Sequence, residues 1–358
     1  MTDIRTPRRI DVHHHIIPPA LVQRMDELGI NAVANAPLPG WTPRHSLDVM
    51  DINDIETAIT SLSAPGVYFG DKDKAVSLAR ACNEFAANMA RRHPGRFGNF
   101  AVLPLPFTDL ACKEAIHALE HLGADGVTLL GSSEGYFLGD DRFDELLDEL
   151  NRRQATVFVH PNVHASSETL KLSIPEFFVE FLCDTTRAAT NLILNGKIER
   201  YPRIRWILAH AGGFLPYVAW RLSLSNVIPK FARKAPQGFL HYVRRYYFDT
   251  ALSPSPFALA ALQQLVDPSH ILFGSDFPFA PAPVTALQTQ QLGQISFIDD
   301  ATRQGINRNH ALALFPRHAD PTDSFGVAPT HGRASLRTRL GRMALQPILA
   351  LADRTRNR

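Results

Sequence analysis

Three cysteines among 358 residues, none in a C-x-x-C pair, cannot build a disulfide framework. Cys82 falls in line with Leu78, Phe85 and Met89 at helical spacing, and Cys112 with Ile116 and Leu119. Both read as small hydrophobes on helix faces. Cys183, beside Asp184, has no catalytic neighbour motif. No run approaches the ~18 apolar residues of a membrane-spanning helix, and Met1–Arg9 lacks the apolar stretch of an export signal. A cytoplasmic protein with no membrane partner is expected. A formal charge of +2 offers no bulk field for gripping nucleic acid. That balance hides two unlike parts: seven Arg against one Asp make +6 over His331–Arg358, which leaves −4 for residues 1–330.

The composition is that of an ordinary globular protein, 45% hydrophobic and 20% charged, enough to bury a sizeable core. Short β-branched or aromatic runs alternate with helical stretches. Candidate strands are Arg9–His13, Glu56–Leu62, Phe97–Leu103, Gly126–Leu130, Thr156–His160, Arg205–His210, Tyr246–Asp249 and Ile271–Asp276. A helix over Asp73–Arg92 stops before His93-Pro94-Gly95, and one over Leu110–Leu122 stops at Gly123. Proline cannot continue the hydrogen-bond ladder, and glycine accepts the left-handed cap. Alternating strands and helices imply parallel pairing through right-handed crossovers. Eight such units fit a (β/α)8 TIM barrel, which takes ~250 residues plus insertions. A doubly wound sheet is the alternative, but no G-x-G-x-x-G follows any strand.

Two connections are too long for a plain βα unit, Ile16–Asp54 and Val163–Pro202. These insertions after strands 1 and 5 would stand over the C-terminal mouth and could form a lid. The barrel is expected over residues 1–318 and a basic tail over 319–358. In that tail Leu336, Leu340 and Met343 make a short apolar face, interrupted by Pro347. It reads as a flexible or oligomer-contacting segment rather than a membrane or nucleic-acid helix.

Strand 1 reads Ile10-Asp11-Val12-His13-His14-His15. Side chains two apart on a strand point the same way, so His13 and His15 share a side and His14 faces the other. Strand 5 closes as Val157-Phe158-Val159-His160-Pro161, strand 6 as Ile207-Leu208-Ala209-His210, and strand 8 as Leu272-Phe273-Gly274-Ser275-Asp276. One polar residue at a strand end can simply begin a loop. Four strands ending in imidazole or carboxylate, at the face where barrel enzymes keep their chemistry, point to a metal. His13, His15, His160 and Asp276 are the expected ligands of one divalent ion, Zn²⁺ first and Mn²⁺ second. Such an ion would lower the pKa of bound water towards ~7 or polarise a substrate oxygen. His210 fits better as an acid/base group.

Together with Ala209-His210-Ala211-Gly212-Gly213 and Gly274-Ser275-Asp276-Phe277-Pro278, these motifs resemble the amidohydrolase superfamily. Within it the match is to the branch of α-amino-β-carboxymuconate-ε-semialdehyde decarboxylase and the aromatic acid decarboxylases. The resemblance spans about residues 9–318, including Asn309-His310-Ala311 and Leu314-Phe315-Pro316. It implies the same four ligands, commonly around zinc, and acid/base work by His210. The strand-4 end, where two-metal members place a modified lysine, reads Val127-Thr128-Leu129-Leu130-Gly131, so a single metal is implied. Arg221, eleven residues after His210, matches an arginine that in family members reaches a substrate carboxylate across a dimer interface. A homodimer or larger homo-oligomer is therefore implied, and a guanidinium fork suits carboxylate binding. Ser61-Leu62-Ser63-Ala64-Pro65-Gly66 and Asp184-Thr185-Thr186-Arg187-Ala188-Ala189 are similar to segments of the 6-methylsalicylate decarboxylase subgroup. Arg187 is a second candidate carboxylate binder, or else a salt-bridge partner within its helix.

Other histidines are set aside. His117 and His121 lie with Lys113, Glu114 and Glu120 on a face that reads as solvated. His164 is near enough to His160 to line the mouth. Asp249 could orient a ligand histidine or cap a turn. The expected function is metal-dependent, non-oxidative decarboxylation of a small aromatic, hydroxybenzoate-like, or unsaturated carboxylic acid. The proton would come from Asp276 or through His210. The alternatives are a metal-dependent lactone or amide hydrolase of the same superfamily, and a non-catalytic binding barrel.

Overall fold

Eight strands run parallel in chain order: β1 Arg9–His15, β2 Ile55–Ser61, β3 Phe97–Val102, β4 Gly126–Leu130, β5 Thr156–His160, β6 Arg205–Leu208, β7 Tyr247–Asp249 and β8 Ile271–Leu272. The computed structural model describes residues 8–170 and 173–320, so the Arg-rich segment expected to be a tail lies outside the described residues. The sheet closes on itself. Val12 N–H donates to the Phe273 carbonyl at 3.0 Å, Asp276 N–H to the His13 carbonyl at 2.7 Å, and His15 N–H to the Phe277 carbonyl at 2.6 Å. Regular pairing of the last strand stops at Leu272, shorter than the expected Ile271–Asp276, because the following residues turn towards β1.

Two apolar layers hold the fold. Ile10, Val12, Ile59, Phe100, Phe158, Ile207 and Leu272 fill the barrel interior. A larger layer between strands and helices includes Val127, Val157, Trp206 and Phe248. The helix Lys72–Arg92 is capped by Asp71, whose carboxylate accepts from Lys74 N–H. Against the helix Thr108–Glu120 it overturns one expectation. Glu114 is buried, not solvated, because Arg80 donates to Oε2 at 2.8 Å and Asn83 to Oε1 at 2.8 Å from that neighbouring helix.

Strand β1 contains the irregularity that builds the site. Asp11 pairs with Ala58 but His14 pairs with Thr60, so β1 spends one residue more than β2 over this step. Strict alternation from Ile10 and Val12 would send His13 and His15 out of the lumen. The bulge resets the alternation, and His13 lands over the interior Phe158, ring centroids 4.9 Å apart. His14 turns the other way, to Asp11 and Ser46.

The two insertions hold the helices Pro19–Glu27 and Pro43–Ile52, a small hairpin pairing Ala32–Val33 with Ala36–Pro37, and the helix Glu180–Leu194. Among the described residues no helix is long and apolar enough to cross a membrane.

Candidate metal and active site

His13, His15, His160 and Asp276 meet at the mouth of the barrel. One ligand atom from each lies within 4.8 Å of all the others, and all four side chains are buried. His13 Nε2 and His15 Nε2 are 3.0 Å apart, and Asp276 Oδ1 is 3.2 Å from the first and 3.1 Å from the second. The remaining ring nitrogens are committed elsewhere. His13 Nδ1–H donates to Asp249 Oδ2 at 2.7 Å, and His160 Nδ1–H to the Pro161 carbonyl at 2.8 Å. His15 Nδ1 lies 3.0 Å from Ser61 Oγ and 3.3 Å from the Ser61 carbonyl. Donation from Nδ1 leaves three Nε2 lone pairs facing one another, an arrangement that needs a proton or a cation between them.

The electrostatics agree. Burial works against charge on His13, but Asp249 and Asp276 outweigh it and push its pKa up to about 10. Burial lowers His15 and His160, and the neighbouring imidazoles lower them further. Burial would raise Asp276, yet the charge on His13, with the imidazoles of His15 and His210 close by, holds it well below the usual carboxylate range. The cluster thus centres positive charge between two carboxylates. Three imidazole nitrogens and one carboxylate oxygen suit a divalent ion, whose binding would release the His13 proton.

Local backbone places the other groups. His210 and Asp276 adopt left-handed φ values of 53° and 62°, a region uncommon outside glycine that His and Asp reach more readily than most residues. His210 is held there by its own N–H donating to Asp249 Oδ1 at 2.9 Å. Its Nε2 lies 3.7 Å from Asp276 Oδ2, while its Nδ1 is buried without a hydrogen-bond partner among the described residues. Gly274 lets the chain after β8 approach β1, since a Cβ there would lie 2.8 Å from His13 Cβ.

A protein-family model described as amidohydrolase matches residues 10–317. The chain belongs to the amidohydrolase family. It is 38% identical over 329 residues to the decarboxylase yanB of Aspergillus niger, covering 88% of this chain and 89% of that protein. It is 36% identical over 315 residues to the 6-methylsalicylic acid decarboxylase of Penicillium expansum, covering 86% and 96%. A solved structure of 2,6-dihydroxybenzoate decarboxylase complexed with 2,6-dihydroxybenzoate superposes with a TM-score of 0.74 at 25% identity, covering 86% of this chain and 99% of that one. This amidohydrolase is a carboxy-lyase.

The metal-type cluster of the amidohydrolase opens into a cavity of about 570 Å³. Ser63, His160, His210 and Asp276 form its polar end; Val33 and Pro37 from the first insertion and Phe177, Phe181 and Leu182 from the second contribute apolar wall. The two arginines do not join it within one chain. Arg221 is exposed on the helix Leu215–Ser223, and Arg187 is exposed with Nη1 3.9 Å from the buried Glu180. His164 caps a short turn and stacks on Phe137, ring centroids 4.9 Å apart, away from the cavity. Asp249 both orients His13 and accepts from the Ala251 N–H at 2.9 Å.

Sequence reasoning missed Asp11. Its Oδ1 accepts the N–H groups of His13 and Ser275 at 3.1 and 3.0 Å, and its Oδ2 accepts Ser275 Oγ at 2.5 Å, tying β1 to the turn that bears Asp276. The signal was present: a carboxylate in mid-strand is buried, and a buried carboxylate needs donors.

Proposed function

We propose that this carboxy-lyase decarboxylates a hydroxybenzoate-type acid, with His13, His15, His160 and Asp276 holding one divalent ion, zinc before manganese. The observation that carries this reading is the convergence of three Nε2 lone pairs and Asp276 Oδ1 at the polar end of a mostly apolar cavity. The 6-methylsalicylic acid and 2,6-dihydroxybenzoate decarboxylases among the relatives support an acid with a hydroxyl beside its carboxylate. When bound, the ion supplies Lewis-acid polarisation of the carboxylate and the neighbouring oxygen. Asp249 keeps His13 in the tautomer that presents Nε2. The His210–Asp276 pair delivers a proton to the ring carbon that bears the carboxylate. The C–C bond then breaks, its electron pair restores the ring, and CO2 leaves, so acid anion plus one proton gives arene plus CO2.

A second copy completes the site in this reading. Tyr217 and Trp220, 88% and 72% exposed, and Leu224 surround Arg221 at helical spacing, a surface rich in the residue types that anchor interfaces. Arg221 of one copy then meets the carboxylate held by the other, while Arg187 keeps its pairing with Glu180. Residues 1–318 are proposed as one domain, and cytoplasmic residence is inferred from three free thiols, one of them buried at Cys82.

Metal analysis of the purified protein, followed by CO2 release from 6-methylsalicylate and 2,6-dihydroxybenzoate, tests the proposal. One ion per chain is expected, with activity lost on chelation and restored by Zn²⁺ or Mn²⁺. Metal-loaded protein that releases no CO2 from either acid, or that adds water to a lactone instead, overturns it.

A further inference from the structure

We propose that the site is shaped for a ring acid bearing an apolar side chain of several carbons, not for a ring with one methyl group. This rests on the hydroxybenzoate reading above and adds what the rest of the cavity takes. An apolar cavity of roughly 150 Å³ suffices for benzene. The space here, about 570 Å³, is nearly four times that. Its polar groups are unevenly placed. His160, His210 and Asp276 belong to the metal end, where Ser63 Oγ lies 3.5 Å from His160 Nε2, and Ser253 adds one hydroxyl residue to the lining. Among the described residues lining it, Asp276 is the only acid, and there is no lysine or arginine.

The aromatic walls begin beside the cluster. Phe279 lies 5.4 Å from His15 and Phe181 5.9 Å from His160, ring centroid to ring centroid. These bound the space for a ring whose carboxylate faces the ligands. More apolar wall comes from Val33 and Pro37 on the small hairpin and from Phe177 and Leu182 on the second insertion. A one-ring acid with polar groups at the metal end leaves that apolar volume to water. An alkyl substituent pointing away from the ligands displaces it and buries its methylenes, each worth a factor of about four in binding.

The test uses metal-loaded, full-length protein and 2-hydroxybenzoates carrying methyl, propyl or pentyl at the 6-position. The expected result is a kcat/KM that rises about fourfold per added methylene, mainly through KM. Leu182→Trp, which fills apolar volume in the cavity, is expected to lower the pentyl-to-methyl ratio of kcat/KM about tenfold or more. Val33→Trp, on the hairpin, makes the same test should the helix variant not fold. Turnover of the methyl acid with slower turnover of the propyl and pentyl acids overturns this inference and leaves the decarboxylase reading standing. An unchanged ratio in the folded tryptophan variants also overturns it. Metal-loaded protein that releases CO2 from none of the acids overturns the hydroxybenzoate reading and this inference together.

Discussion

The two ends of the barrel treat buried charge in opposite ways. At the base, Arg9 donates to Asn307 Oδ1 at 3.0 Å and to the Asn53 carbonyl at 2.6 Å, and Arg8 and Arg308 share Glu56. Asp125 there accepts from the Asn99 N–H at 2.9 Å, from His318 at 2.9 Å and from Arg317 at 2.5 Å. These charged groups meet their partners within the chain, although the Asn99 amide and the Thr156 hydroxyl near them are buried without a hydrogen-bond partner among the described residues. At the mouth, three imidazole nitrogens face each other and His210 Nδ1 is left without a partner among the described residues. The lesson is that the same strands carry paired charges at one end and converging imidazole lone pairs at the other, and that second end is where a ligand completes the pairing.

The sharpest way to break the contrast is at His210. His210→Asn keeps a residue type tolerant of left-handed φ but removes the imidazole. It is expected to lower kcat for CO2 release about 10²- to 10⁴-fold while leaving metal content unchanged by elemental analysis. At the base the signature reverses. Asp125→Ala strips the Asn99 N–H and His318 of their acceptor and should cost about 3 kcal/mol in urea unfolding, with kcat within about twofold of the parent. A loss of activity that outpaced the loss of stability would erase the distinction between the ends.

Asp184 supplies an intermediate case, near the mouth but outside the ligand set. Burial raises its pKa from 3.8 to about 6, despite donation from Asn162 N–H and Ser132 Oγ. A raised carboxyl favours the folded state below its ordinary pKa, and that contribution is lost as pH rises through about 6. Asp184→Asn should therefore gain about 3 kcal/mol relative to the parent between pH 4 and pH 7, read as the difference between two urea-unfolding series. Ser132 can rotate its hydroxyl to accept from the new amide, so the geometry survives. The smallest effect is expected at Asp249→Asn, which weakens the hold on His13 and should lower metal affinity about 10- to 100-fold in a chelator competition.

The strand order and the positions of His13, His15, His160, His210 and Asp276 were legible because each ends or interrupts an apolar run, a pattern local to a few residues. What was not legible depended on a neighbouring element. Glu114 looked solvated by periodicity and is buried because Arg80 and Asn83 face it from another helix. Asp249 could have been a cap or an orienting group, and it is both. Asp11 was passed over because the partner that ties it to the site, Ser275, lies 264 residues away.

By itself the sequence determined the repeating strand–helix units and the residue types at their ends, since burial on both faces of a strand selects apolar residues until the strand stops. Only tertiary structure decided which way those end groups turn. The extra residue in β1 resets its alternation, closure of β1 against the chain after β8 brings Asp276 to His13, and the two insertions shape the cavity wall. Such features arise from contacts between distant segments, whose geometry no single stretch of chain encodes.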